Sequence, residues 1–105
     1  MQFNHSSINL SKHAVKRTQQ RGIKPQIVDL ITSEADIEFP ANDNCFSISI
    51  SRKKLFYLKK LGKINSAIID EADGVTLIED NEGTIITAFH KQKRFRLRKY
   101  SKKLN

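Results

Sequence analysis

The chain has 105 residues, of which 38% are hydrophobic, and 19 Lys plus Arg stand against 11 Asp plus Glu, for a formal net charge of +8. That length fits one small domain and excludes a second large core, and the apolar fraction is too high for a wholly disordered chain. No apolar run reaches the roughly 18 residues a membrane span needs, and a single cysteine, Cys45, rules out an internal disulfide and a thiolate-rich zinc site. Residues 1–10 carry neither the charged nor the apolar region of a secretory signal, so a cytoplasmic domain is expected.

Residues 1–9 are polar and read as an irregular lead-in. Ser11 is a good N-cap, its hydroxyl able to accept from a first-turn N–H, and the run Lys12 to Arg21 is then a helix stopped by Gly22. Pro25 suits the first position of a second helix, with Ile27, Leu30 and Ile31 on one face and an end near Ser33 to Ala35. The stretch Ile37 to Ile50 looks extended: Phe46, Ile48 and Ile50 alternate with Ser47 and Ser49, and Pro40 to Asn44 is turn chemistry. Ser51 caps a third segment, 52–61, closed by Gly62. Leu55, Leu58 and Leu61 recur along it at spacings of three, and the cap and glycine favour helix over a strand across 54–60. Val75 to Glu79 and Thr84 to Phe89 are rich in β-branched residues and flank Asp80-Asn81-Glu82-Gly83, which predicts a hairpin. Beyond His90, Phe95 and Leu97 alternate with arginines, which extends the pattern as an edge strand before it frays.

Charge falls in blocks. Residues 1–33 sum to +4, 34–51 to −4, 52–63 to +6, 64–90 to −6 and 91–105 to +8. If the three basic blocks converge, they form a face for a polyanion. On the first helix His13, Arg17 and Arg21 fall at i, i+4 and i+8, with Gln20 three beyond Arg17, so all four project from one side. Imidazole moves protons near neutral pH and arginine forks bind phosphate oxygens, so this row suits a phosphodiester. The plainer alternative is that the arginines pair with acids such as Asp36 or Glu38, and that His13 satisfies a helix end. Lys16 on the same helix and Lys91, Lys93, Arg94, Arg96 and Arg98 after the hairpin are candidate phosphate contacts. Thr87 and His90 are three apart on a strand and face opposite sides unless a bulge intervenes. The three histidines and Cys45 have no metal-ligand spacing, no glycine-rich loop cradles a nucleotide phosphate, and no acidic stretch has the spacing of a calcium loop. No metal or cofactor is expected.

The pattern Ser11-x-His13-Ala-x-x-Arg17-x-x-Gln20-Arg21-Gly22-Ile23, with Ile86-Thr87-x-x-His90 after a hairpin, resembles a group of small bacterial proteins with a helical His-Ala-x-x-Arg motif. Through it the chain resembles the compact RNase superfamily that includes barnase, EndoU, the RNase colicins and RelE-type toxins. The resemblance spans about residues 10–96. It implies N-terminal helices on a short antiparallel sheet and metal-independent RNA cleavage, with His13, Arg17, Arg21, Thr87 and His90 as the site. The chain departs from that pattern by a helix at 52–61 between strands, and its only C-terminal tyrosine is Tyr100.

The expected structure is a single α+β domain over 1–105, with an ordered core of about 10–96 and a basic tail of 97–105. Two or three helices pack on an antiparallel sheet of three or four strands, in the manner of the RelE-type RNase toxins. The expected function is a metal-independent endoribonuclease of the toxin–antitoxin kind, in which an RNA 2′-hydroxyl attacks the adjacent phosphate. One histidine serves as base, the other as acid, and Arg17, Arg21 and Arg94 stabilise the phosphoryl charge. Its partners would be RNA, as ribosome-bound message or tRNA, and an acidic antitoxin-like protein. Two alternatives use the same features: a non-catalytic nucleic-acid-binding module, and an adaptor for an acidic protein.

Overall fold

The computed structural model describes residues 8–91. The chain runs β1 (Asn9–Leu10), α1 (Lys12–Gln20), α2 (Pro25–Glu34), β2 (Ile37–Pro40), β3 (Phe46–Ser49), α3 (Arg52–Lys60), α4 (Ser66–Ala72), β4 (Val75–Glu79) and β5 (Thr84–His90). The expected edge strand beyond His90, the last residues of the expected core and the basic tail lie outside the described residues.

Local chemistry sets the helix ends. Ser11 and Ser51 accept from the N–H groups of Ala14 and Lys54, each at 3.0 Å, and open α1 and α3. Gly22 takes φ +66°, which lets Ile23 N–H reach the Thr18 carbonyl at 2.8 Å and Gly22 N–H reach that of Gln19 at 3.3 Å. This double bond pattern is the Schellman stop, and α3 ends the same way over Gly62. Pro25 opens α2 at a position whose N–H has no helical partner to lose. In the β2–β3 connection Asp43 and Asn44 both have positive φ, the geometry of a tight hairpin turn.

The five strands form one sheet in the order β1-β5-β4-β3-β2. All neighbours are antiparallel except β1, which pairs parallel with β5 through Asn9↔Thr84 and Leu10↔Ile85. The core is aliphatic: Ala14, Ile27, Ile31, Leu55, Ile69 and Ala72 from the four helices meet Ile48, Val75, Leu77, Ile85 and Ala88 from the sheet in a single cluster. All four helices therefore lie on one face of the sheet.

The α+β class holds, with two additions: the structure has four helices and five strands in a mixed sheet, where two or three helices and three or four antiparallel strands were expected. Both extra elements are too short to show a period. The two residues of β1 sit in a polar lead-in, and the seven of α4 bury only Ile69 and Ala72 while Asn65 caps Ile68 N–H at 2.9 Å. Segment 52–60 is a helix, and its expected leucine seam stops short: Leu55 and Leu58 are buried but Leu61 is 51% exposed.

One junction ties β2, β3 and α3 together. Asp36 accepts from the Ser51 N–H at 2.8 Å and from its hydroxyl at 2.7 Å, while that hydroxyl also caps α3. Partial burial pushes the Asp36 carboxyl up, but the Ser51 hydroxyl and N–H, its own backbone and the charge of Lys54 outweigh this and hold it below its ordinary value. A lowered folded pKa means stability that is present above the unfolded value and lost as pH falls through the folded one. Asp36→Asn should therefore cost about 1 kcal/mol or less at pH 7, given the solvent exposure of the site. In urea denaturation the gap from the parent chain should close below about pH 4; a gap independent of pH would contradict this role.

Candidate functional site

Strand β5 positions the row of residues on α1. At the start of the helix the Ser11 N–H donates to the Ile85 carbonyl at 2.9 Å, and its hydroxyl lies 3.4 Å from the Ile86 carbonyl. At the other end the Arg21 guanidinium donates to the Ala88 carbonyl at 2.6 Å, and His90 Nε2 lies 3.0 Å from the Arg21 carbonyl. The helix is thus laid along the strand, with Ala14 and Thr18 turned inward.

The expected site separates into three places. The first is a chain of contacts on the outer side of α1: Arg17 Nε donates to His13 Nε2 at 3.1 Å, and Arg17 Nη1 to Gln20 Oε1 at 3.5 Å. Accepting at Nε2 requires a neutral imidazole with its proton on Nδ1. The second is the Arg21–His90 clasp. Positions 13 and 21 are about 12 Å apart along the helix axis at ~1.5 Å per residue, so the two histidines sit near opposite ends of α1. The third is Thr87. A bulge does interrupt β5, since Ile78 pairs with Thr87 and Glu79 with Ile85, leaving Ile86 extra. It precedes Thr87, so alternation from 87 to 90 is intact: Thr87 lies on the sheet face away from the helices, opposite Ile78, and His90 lies on the helix side opposite Val75.

The arginines do not pair with acids. Asp36 serves Ser51, and among the described residues no carboxylate lies within ion-pair distance of Lys12, Lys16, Arg17 or Arg21. Lys24, Arg52 and Lys54, by contrast, are bridged to Glu71, Asp73 and Glu34 at 3.3, 2.6 and 3.6 Å. Lys91, Arg52 and the end of α1 come together at one corner. Lys91 N–H donates to the Gly74 carbonyl at 2.6 Å, the neighbouring Asp73 holds Arg52 of α3, and His90 touches the end of α1. Lys93, Arg94, Arg96 and Arg98 lie outside the described residues and follow directly from this corner in sequence.

Chemically, the outer side of α1 offers an anion a guanidinium that, among the described residues, is held by His13 and Gln20 and by no carboxylate, with Lys16 exposed on the same helix. Among the described residues no group of three or more His, Cys, Asp or Glu is arranged to hold a metal ion, and no helix is long and apolar enough to cross a membrane. Cys45 is buried at the β2–β3 turn, its thiol 3.6 Å from the Asp43 carbonyl. Residue types alone did not disclose the edge-capping role of Arg21, because it depends on which strand α1 lies along. The outward aromatics of α3, Phe56 and Tyr57, were legible in principle from their spacing with Lys53 and Lys60.

The two arginines should separate in a stability measurement. Arg21→Ala removes a charged donor from a strand carbonyl and should cost about 1–2 kcal/mol in urea denaturation. Arg17→Ala should stay within about 0.5 kcal/mol of the parent. Equal losses would contradict the division into a strand-capping arginine and one that bonds only within its own helix.

Scans against protein-family models, curated proteins and solved structures find no match for this chain.

Proposed function

We propose that this chain binds nucleic acid, RNA foremost, along the outer side of α1 and the adjoining end of β5. The observation that carries this reading is the set of four bases on and just after α1 (Lys12, Lys16, Arg17 and Arg21) with no carboxylate partner among the described residues, while Lys24, Arg52 and Lys54 are bridged. No acid precedes Asp29 in the sequence, and none follows Glu82. A guanidinium oriented by His13 and Gln20 keeps its charge available for a phosphate, since both partners are neutral. Gln20 and Lys91, with Lys93, Arg94, Arg96 and Arg98 beyond in sequence, extend the phosphate-contacting set. RNA rather than DNA rests on the resemblance to the RNase toxins.

The contact of His13 Nε2 with Arg17 Nε favours a second reading, metal-independent endoribonuclease. A neutral imidazole beside a guanidinium can take a proton from a 2′-hydroxyl while the guanidinium stabilises the phosphoryl charge, once a phosphate draws Arg17 away. Binding is the better-supported reading because the second histidine is about two helical turns off, held on a backbone carbonyl. A single phosphate does not span that distance.

Binding of a labelled RNA should weaken steeply with salt as phosphate counterions are released. Arg17→Ala should lower both affinity and the steepness of that dependence, while His13→Ala should leave affinity nearly unchanged. No salt-sensitive binding at low ionic strength removes the reading. RNA cleavage in EDTA that falls ~10²–10⁴-fold in His13→Ala and fails on 2′-deoxy substrate would establish the enzyme in its place.

A further inference from the structure

We propose that the outward face of α3 is a stacking platform for unpaired nucleotides, which rests on the nucleic-acid reading above and specifies single strands as the ligand. Leu55 and Leu58 anchor α3 to the body, and Lys53, Phe56, Tyr57, Lys60 and Leu61 recur at i, i+3, i+4, i+7 and i+8 on the opposite side. Phe56 and Tyr57 are 48% and 54% exposed, a large apolar area for a nine-residue helix to leave in water. Packing does not account for them. The buried core is wholly aliphatic, and none of the five described aromatics, Phe39, Phe46, Phe56, Tyr57 and Phe89, is buried.

The Phe56 ring is held in place. Arg52, fixed by Asp73 at 2.6 Å, lies over it with the guanidinium carbon 5.4 Å from the ring centroid. A ring oriented in advance loses little freedom when a base stacks on it. Around it the charge is uniform: residues 52–63 contain six bases and no acid, and Lys53, Lys59, Lys60 and Lys63 have no ion-pair partner among the described residues. Lys53 and Lys60 stand one turn to either side of Phe56, ~5–6 Å between Cβ atoms, within reach of phosphates flanking a stacked base. Aromatic rings interleaved with lysines are the pattern that holds single strands, base face to ring and phosphate to ammonium. Protein interfaces share the aromatics but deplete lysine from their centres, which makes a protein the weaker fit. The N-terminal end of α3 also lies at the corner where α1 and β5 end, through Arg52–Asp73 and Lys91–Gly74, so one strand can engage both faces.

The test uses the full chain with three labelled or competing probes: a 12-nucleotide oligouridylate, an RNA duplex of equal length, and inorganic polyphosphate as backbone charge without bases. Phe56→Ala/Tyr57→Ala should weaken single-strand binding roughly tenfold or more and leave duplex and polyphosphate binding within about twofold, with the salt dependence unchanged. Tyr57→Phe, which keeps the ring, should bind like the parent. Single-strand affinity unchanged in the double variant, with Arg17→Ala still weakening it, overturns the platform and leaves the α1 reading standing. A parent chain that binds none of the probes removes both. A dimer in light scattering that the double variant dissociates, with single-strand affinity intact, assigns the face to a protein instead. If the double variant does not fold, 4-thiouridine crosslinks to the parent chain decide: they should map to Phe56 or Tyr57, and crosslinks confined to α1 or residues 92–105 overturn the proposal.

Discussion

The outer edge of β5 is the constraint on which the arrangement depends. Among the described residues β1 covers only its first two residues, so the outward-facing carbonyls beyond them have no strand partner there. An open edge of that kind pairs with other chains unless something covers it. Here α1 does so: Ser11 engages Ile85 and Ile86, and the Arg21 guanidinium takes Ala88. Two anchors ten residues apart, Ser11 and Arg21, fix the rotation of the helix as well as its position. Ala14 and Thr18 must then point inward, and His13, Lys16 and Gln20 must point out. The surface chemistry of α1 follows from the need to close a sheet edge.

The same constraint explains what the residues disclosed and what they did not. Ser11, Gly22, Pro25, Ser51 and Gly62 act through local backbone geometry, and each marks the helix boundary its chemistry demands. The β4–β5 hairpin and the alternation of β3 were legible for a similar reason, since a two-residue period needs only nearby side chains. β1 and α4 were not, because they owe their form to tertiary partners: β1 to the edge of β5, and α4 to the packing of Ile69 and Ala72. The site shows the same split. Helical spacing placed His13, Arg17 and Gln20 together, because i, i+3 and i+4 contacts are local. Whether Arg21, Thr87 and His90 join them depends on how strand and helix are set side by side. The long-range contacts draw Arg21 and His90 into a clasp and leave Thr87 on the far face of the sheet.

Net charge is a poor guide to the nucleic-acid face proposed for this protein. Residues 8–91 hold 12 Lys plus Arg against 11 Asp plus Glu, so the described body is nearly neutral. Segregation makes up for the small excess. The acids gather on α2, α4 and the strand connections, and some of them bridge the bases nearest to them. α1 and α3 contain no acid, and their outward lysines, with Arg17, are unbridged among the described residues. Screening limits the reach of surface charge to about 8–10 Å at physiological salt, so a phosphate near α1 responds chiefly to the charges nearest it.

The two acid-free helices present that charge differently, and the difference has a physical origin. α1 is committed along its length to β5, so its outward side is a narrow polar row built around one oriented guanidinium. α3 is held by two leucines and leans on α4, which leaves a broader outward face where aromatic rings can stand among lysines. A polar row selects for backbone phosphate and is indifferent to pairing, because duplex and single strand carry the same phosphates. An exposed ring selects for a base whose face is free, which a duplex withholds. In the proposed function the two faces, set at one corner of a small sheet, divide recognition between charge and stacking, a division that neither helix could achieve alone.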